Sequence, residues 1–296
     1  MTKQPKSKRT IDQKPDYQGF PKAGELIHVT GAAHLSLQDR RVFNLLIAEA
    51  GDKACDDVQH HVPISTLRGS HKGAERVKDS IERLMTTLVH VPVTGRNDKP
   101  ATLRVQLLSD TTTSDDDDDP TGEVAFSFSP GLRSIIKNSL YWGRIRPQVM
   151  FAFTSKYSLA LYELTASRVN LKHKDSQIFG MVEMRALLGV PEDKLKLNSD
   201  FLRYCIQPAV IEVNGLSDFD VELEPIRRGG TMRGIITGFR MTWARKSLPE
   251  MHKAHAELAS PKVGRLARLT GTAETPVSEP VQTDLTDYLA ALPHAP

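Results

Sequence analysis

The sequence predicts an α+β protein made of two similar halves in tandem, with a flexible tail at each end. The same order of helix and strand patterns occurs twice. The segments 1–20 and 247–296 contain little that could form a core. The chain has 296 residues, enough for two domains of ordinary size. Its formal net charge of +3 favours an anionic partner without requiring one.

The first half begins with the strand-like run ELIHVT. A helix pattern follows, SLQDRRVFNLLIAEAG, which Ser36 caps and Gly51 ends. Its apolar residues recur at helical spacing, at Phe43, Leu46, Ile47 and Ala50. The strand-like run VQHHVPI and a short helix near residues 65–68 follow. A longer helix, GAERVKDSIERLMTTLVHV, then places apolar residues as far as Leu88 on one face. The basic residues on its other face are Lys72, Arg76 and Arg83.

Two strand patterns, near residues 103–109 and 123–129, flank a loop with five consecutive aspartates, Asp115–Asp119. Like charges at this density cannot pack, so we expect an exposed hairpin loop. The run lacks the glycine and the 12-residue spacing of a calcium loop. No metal site is therefore predicted there.

The second half repeats this order. SKYSLALYELTASRVN is a helix pattern, IFGMV a short strand, VEMRALLGVP a short helix and FLRYCIQPAVIEVN a third helix. FDVELEPI and RGIITGFRMTWARK follow as two strands joined by a glycine-rich tip. Helix, strand, helix, helix and β-hairpin is the order of a winged helix. The sequence therefore predicts winged-helix domains at residues 21–149 and 150–246.

The third helix of the second half presents two faces. Its apolar residues form one stripe, at Phe201, Leu202, Cys205, Ile206, Ala209, Val210 and Val213. A polar face carries Arg203, Tyr204 and Gln207, and Asn198 and Ser199 precede it as expected N-caps. Because proline lacks a backbone donor, Pro208 should kink the helix or end its regular first half near Gln207. We expect a straight two-turn segment before it.

The residues resemble the iteron-binding replication initiator (Rep) proteins of bacterial plasmids. The likeness runs from about Glu25 to Arg245 and is strongest in SKYSLALYEL, MRALLGVP and FLRYCIQPAVIEVN with its hairpin. It implies two winged-helix domains that bind repeated origin sequences, with dimerisation and backbone contact through the first domain and sequence-specific binding through the second. It also implies contacts with a host replication initiator and helicase, and repression of the protein's own promoter. Where many relatives carry a Lys/Arg cluster, this helix has Leu202, Arg203 and Tyr204.

This resemblance gives the polar residues chemical roles. In a winged helix the third helix enters the major groove and the hairpin tip lies along the backbone. Arginine pairs bidentately with guanine and glutamine with adenine, which assigns Arg203 and Gln207 to base edges. Asn198 and Ser199 are assigned to a phosphate at the helix start. The wing arginines, also assigned to phosphates, are Arg227, Arg228 and Arg233. The basic residues on the third helix of the first half are assigned to DNA as well: Lys72, Arg76 and Arg83.

Other functional classes fit less well. A nicking nuclease holds its metal with a His-x-His pair, whereas His60 and His61 are adjacent and point to opposite faces of a strand. The P-loop pattern of a helicase does not occur. We therefore predict no catalysis and no cofactor. A winged-helix transcriptional repressor without initiator activity remains an alternative.

The remaining signals concern location and partners. No secretory signal or apolar run of membrane-spanning length occurs, which predicts a cytoplasmic protein with no membrane partner. Cys205 lies on the apolar stripe, as a reduced core thiol would. In the tail, QTDLTDYLAAL (282–292) has a small apolar stripe suited to docking on a host protein such as a sliding clamp.

Overall fold

The computed structural model describes residues 8–16, 18–68, 75–113, 122–231 and 234–272. Lys72, Arg233, the Asp115–Asp119 run and the segment 282–292 lie outside these residues, so the predictions for them stay predictions. Within the described ranges the strands form two three-stranded and two two-stranded sheets, all antiparallel.

The first domain contains a winged helix with an added hairpin. In chain order the elements are β1 (Phe20–Ala23), α1 (Gly24–Ile27), α2 (Leu37–Ala50), β2 (His60–Pro63), α3 (Ile64–Arg68), α4 (Glu75–Thr86), β3 (Leu88–Thr94), β4 (Pro100–Gln106), β5 (Leu108–Thr113), β6 (Glu123–Phe128), α5 (Pro130–Asn138) and β7 (Trp142–Ile145). The winged-helix core consists of α2, β2, α3, α4, β5 and β6. The strands β3 and β4 pair as a separate hairpin between α4 and β5.

A short linker helix leads into the second domain and two further helices follow it. The elements are α6 (Pro147–Ala152), α7 (Lys156–Arg168), β8 (Ser176–Gly180), α8 (Met181–Leu188), α9 (Asn198–Phe201), α10 (Gln207–Leu216), β9 (Phe219–Arg227), β10 (Ile236–Arg245), α11 (Leu248–Ala259) and α12 (Arg265–Leu269).

The two domains have the same sheet topology. In the first, the strand order is β2-β6-β5; in the second, it is β8-β10-β9. Each sheet therefore places the strand after the first helix beside the last strand of the wing. The repeated order of patterns in the sequence correctly predicts two winged helices.

The C-terminal end of the predicted long helix in the first domain differs from expectation. Val77, Ile81 and Leu84 are buried as its apolar stripe requires. The helix stops at Thr86, however, and Leu88 is 47% exposed on β3. The segment from Thr86 onward is rich in threonine and valine, whose branched side chains favour strands. The prediction of an inward Leu88 is wrong for this reason.

The helix α7 joins the halves and is buried along most of its length, from Ser158 to Arg168. The linker beside it is held from both domains. Arg41 of α2 donates to the carbonyl oxygens of Phe151 at 3.1 Å and Phe153 at 2.6 Å. Glu212 of α10 accepts from the Thr154 amide at 3.1 Å. Because both partners of the linker are charged, these bonds are of the stronger kind.

Parts of both segments predicted as tails pack against the domains. At the N-terminus, Thr10 is buried and its hydroxyl donates to the Ser139 hydroxyl at 2.9 Å. At the C-terminus, α11 and α12 pack on α10. Ser247 and Glu250 form a capping box that starts α11. α11 and α12 lie in the segment predicted as a flexible tail, so the prediction of flexibility is wrong for these two helices.

Buried ion pairs hold α12 against α11. Arg265 donates to the Glu257 carboxylate at 3.2 Å and Arg268 at 2.6 Å. Burial raises the pKa of Glu257, but the hydrogen bonds from Arg268 and Arg265 outweigh it and leave that pKa below its ordinary value. Gly215 leaves room for Leu269, since a Cβ there would lie 2.3 Å from a Leu269 methyl carbon. Both Asn214 and Gly215 lie within α10.

Candidate nucleic-acid interface

The third helix of the second domain runs from Asn198 to Leu216 in three parts: α9, a π turn at Leu202–Ile206, and α10. The predicted apolar stripe packs inward; its fully buried members are Phe201, Cys205, Ile206, Ala209 and Val213. Burial raises the pKa of the Cys205 thiol to about 12, so that side chain is an uncharged core group.

Pro208 explains the π turn. In a regular α-helix the proline ring would collide with the carbonyl group of Tyr204, four residues earlier. Here the Gln207 amide instead donates to the Leu202 carbonyl oxygen, five residues back. This wider turn is one of the known ways in which a helix accommodates such a conflict. The expectation of a straight two-turn segment before Pro208 is wrong: regular helix ends at Phe201.

The π turn projects Arg203 and Tyr204 into solvent, and Gln207 follows at the start of α10. All three are exposed, with Tyr204 at 55%. The Arg203 guanidinium lies 5.3 Å from the centre of the Tyr204 ring, a cation–π contact that orients it. Within the described part of the chain neither Arg203 nor Gln207 has a side-chain hydrogen bond. Their donors and acceptors are therefore free for a ligand.

The start of this helix differs from the prediction. Leu197 occupies the N-cap position, and its side chain makes no cap bond. Asn198 is the first helical residue, and its side-chain amide donates to the Ile236 carbonyl oxygen at 3.2 Å. Asn198 therefore attaches the helix to the first residue of β10, and its predicted capping role is wrong. Ser199 is exposed and also helical.

The wing is a long hairpin whose strands pair from Phe219 with Arg245 to Arg227 with Ile236. Gly229 (φ 69°) and Gly230 (φ 66°) adopt the left-handed backbone at the tip. Arg227 is half-buried and donates to the Gly234 carbonyl oxygen at 3.0 Å. Arg228 is exposed at the tip. The structure thus separates a wing-stabilising arginine from one that faces solvent.

In the first domain, α4 occupies the equivalent third-helix position. Arg76 is exposed there. Arg83, which was predicted like Arg76 to contact DNA, donates two hydrogen bonds of 2.9 and 3.0 Å to Asp39 of α2. Asp39 is fully buried and also accepts from the Ser80 hydroxyl at 2.7 Å. Arg83 therefore joins two helices in the free protein, a role that its spacing in the sequence does not reveal.

We expect Arg83→Ala to lower the free energy of unfolding at pH 7 by about 1–2 kcal/mol, because the lost hydrogen bonds are charged but half exposed. Burial raises the pKa of Asp39, yet the bonds from Arg83, Ser80 and Ser36 outweigh it and hold that pKa below its ordinary value. A carboxyl group whose pKa is lower in the folded than in the unfolded state stabilises the fold at any pH above its unfolded-state pKa. That stabilisation is lost as the pH falls through the folded-state pKa.

The difference between Arg83→Ala and the parent should consequently shrink as the pH falls below about 4. Urea unfolding at pH 7 and pH 3 measures it. Arg104→Ala is the matched control, since Arg104 is exposed on β4 and forms no ion pair within the described ranges. Equal losses for both variants at pH 7 would assign Arg83 no structural role.

The wings of the two domains differ in charge. In the sequence, the aspartates Asp115–Asp119 lie between β5 and β6, whereas Arg228 lies between β9 and β10. Aspartates repel phosphates. We therefore expect the hairpin of the second domain to suit a nucleic-acid backbone better.

The histidine pair of the first domain lies on β2 with its rings on opposite sides. His60 packs on Phe126, with ring centres 5.2 Å apart, and His61 lies 3.5 Å from the Glu123 carboxylate. In the described ranges no cluster of three His, Cys, Asp or Glu residues could hold a metal ion. Nor does any helix there have the length and apolar character of a membrane crossing.

Comparison with known protein families gives two matches. The family model described as "Initiator Replication protein, WH1" matches residues 21–166, and the model described as "Initiator Rep protein, WH2" matches residues 181–243. No curated protein matched the chain. The first matched segment contains the first winged helix and most of α7, and the second runs from α8 into β10. The second segment includes Arg203, Tyr204, Gln207 and Arg228.

Proposed function

Because the chain belongs to the family of plasmid replication initiator (Rep) proteins, which bind DNA through winged helices, we propose that it recognises repeated origin sequences (iterons) through its second domain. The observation that carries this proposal is the exposed group Arg203, Tyr204 and Gln207 on the third helix. These side chains stand on the helix that enters the major groove in this fold.

The chemistry of these residues supports base readout. The Arg203 fork matches the O6 and N7 acceptors of guanine, and the Gln207 amide matches the N6 and N7 atoms of adenine. The Tyr204 ring, 5.3 Å from the Arg203 guanidinium, limits the rotamers that Arg203 samples. Arg203 therefore loses less conformational freedom when it binds a base.

Backbone contacts fall to a different set of residues. Arg228 at the wing tip presents a full charge to solvent beside two glycines that permit close approach to a phosphate. Ser199 lies at the exposed start of α9, and Asn198 and Arg227 support the adjoining backbone. In the first domain, Arg76 and Lys72 are the residues that we assign to phosphates.

We further propose that the bound protein opens the origin, recruits the host replication initiator and helicase, and represses its own promoter. Incubation with a supercoiled plasmid carrying its origin tests this. Strand opening with host factors supports initiation, binding without opening supports a repressor alone, and nicking would indicate a nuclease. Footprinting on the same plasmid identifies the repeat. Docking of residues 282–292 on a sliding clamp is a separate proposal.

The family also suggests dimers through the first domain that repress, and monomers that bind direct repeats. We expect dilution or mild denaturant to raise binding to a single direct repeat before global unfolding begins, because mass action or weakened apolar contacts release monomers. Mobility-shift titration with far-UV circular dichroism follows both events. A dimer that persists on one direct repeat in sedimentation velocity would contradict this assembly.

A further inference from the structure

A cleft of about 410 Å³ lies between the two domains, and its described lining includes neither Arg203 nor the wing tip. The first domain contributes His28, Thr30, Pro92 and Tyr141 to its walls; the second contributes residues of α7, α8 and the adjoining segments, among them Arg168 and Leu187. Its volume falls within the range of small-molecule sites. Neither winged helix needs this cleft for the DNA contacts described above.

Arg168 is the unusual group in the cleft. It is 6% exposed, and no carboxylate of the described residues lies within ion-pair distance. Its Nε atom is buried without any hydrogen-bond partner there. The guanidinium stacks over Phe179, 5.0 Å from the ring centre. A buried cation that lacks an anion is costly to a fold, and an incoming anion would remove that cost.

The hydrogen bonds next to Arg168 have a fixed direction. Arginine is only a donor, so its bond of 2.5 Å to His28 makes Nε2 of that ring the acceptor. The neutral His28 ring then carries its proton on Nδ1 and donates to the Tyr141 oxygen at 3.1 Å. Burial and the charge of Arg168 lower the pKa of His28 to about 3, in agreement with a neutral ring. The Tyr141 hydroxyl proton is left to donate elsewhere.

The cleft thus combines donors with apolar walls. Arg168 and Tyr141 supply donors, and the walls beside them include Pro92, Leu171 and Leu187. We propose that the cleft binds a small organic anion, whose charged head lies on Arg168 and Tyr141 and whose apolar body lies against Pro92 and Leu187. The head is a carboxylate or a phosphate monoester, both of which match a guanidinium.

Glu183 of α8 gives the proposal an internal check. Its carboxylate is exposed at the rim of the cleft, and its charge partly counteracts the lowering of the Arg168 pKa by burial. That carboxylate repels an entering anion. Removing its charge should therefore strengthen binding, whereas removing the charge of Arg168 should weaken it. A surface that attracts anions only by net charge would not single out these two positions.

Occupancy of the cleft has a mechanical effect as well. One wall belongs to the first domain and the other to α7 and α8 of the second domain. The helix α7 packs on α10, the last part of the third helix of that domain. A ligand that contacts both walls would favour one relative position of the domains. The expected consequence is a change in affinity for origin DNA when the cleft is filled.

Calorimetric titration of the full-length protein with benzoate and phenyl phosphate tests the site, with neutral benzamide as the matched control ligand. We expect at least one anion to bind and benzamide not to bind. Arg168→Gln should weaken that binding by roughly tenfold or more. Glu183→Gln should tighten it roughly two- to fivefold. Inorganic phosphate, which has no apolar body, should bind more weakly than phenyl phosphate.

Near-UV circular dichroism establishes that each variant is folded. If Arg168→Gln does not fold, Tyr141→Phe decides the question, since it removes one donor and keeps the ring; severalfold weaker binding is expected. The proposal is overturned if neither anion binds the parent protein, if benzamide binds equally well, or if the folded Arg168 or Tyr141 variant binds like the parent. Unchanged affinity in Glu183→Gln would also overturn it.

Discussion

Glu163→Leu is expected to lower the free energy of unfolding by about 3–5 kcal/mol, the largest stability effect foreseen for this chain. Glu163 of α7 accepts from Lys22 of β1 at 2.9 Å and from Asn44 of α2 at 2.5 Å. Lys22 also donates to Asn44 at 2.8 Å, and all three side chains are buried. Without the carboxylate, Lys22 would hold a buried charge with no counter-ion.

The double variant Lys22→Met with Glu163→Leu is the control. It removes both charges together, and apolar replacements of a buried ion pair are often neutral. We expect it to recover most of the stability lost by Glu163→Leu, as measured by urea unfolding at pH 7. Lys22→Met alone completes the comparison. If the stability losses of Lys22→Met and Glu163→Leu simply add in the double variant, the ion pair does not couple the first domain to α7.

Arg203→Ala and Arg228→Ala should impair DNA binding in different ways. Arg203 is exposed on the helix that we propose enters the major groove, so its loss should cost roughly 1–3 kcal/mol on the origin repeat and much less on random DNA. Preference should relax at one base position. Arg228 lies at the wing tip, so its loss should weaken both DNAs about equally and reduce the salt slope by about one.

Fluorescence anisotropy titrations on both DNAs at several salt concentrations measure these quantities. Lys172→Ala is a matched loss of one exposed positive charge, in the loop between α7 and β8 at the end of the sheet away from the wing tip. It should leave the sequence preference intact. If Arg203→Ala and Arg228→Ala reduce affinity alike on every sequence, the face formed by Arg203, Tyr204 and Gln207 is ordinary solvated surface.

Local patterns in the sequence were sufficient for the fold and for one face of the site. The apolar spacing in FLRYCIQPAVIEVN identifies the buried stripe, and the complementary positions identify Arg203, Tyr204 and Gln207 as exposed. Both results depend only on helical periodicity, which is a property of neighbouring residues. The position of the wing likewise follows from its glycines and the flanking strand patterns.

The missed features depend on contacts between distant residues. Arg83 meets Asp39, which lies 44 positions earlier in the chain, and no local spacing reveals that pairing. The sequence also does not predict that Arg168 lacks an ion-pair partner among the described residues, because this depends on where the carboxylates lie in the folded chain. The helices after residue 247 did have a local signal, because Ser247, Pro249 and Glu250 form a helix start. The polar composition of the whole C-terminal segment obscured it.

The π turn at Leu202–Ile206 sets the phase of the third helix. Such a turn uses one residue more than an α turn, so α9 and the stripe of α10 are out of step around the axis. Deleting one residue there would restore regular winding and rotate α9 by about 100° relative to Ala209 and Val213, which stay anchored in the core. A change of length at this turn therefore changes the direction in which the side chains before Ala209 point relative to the core, without replacing any of the residues that we propose contact bases. Insertions and deletions at this turn, as well as substitutions, can thus change the base contacts that we propose for this helix.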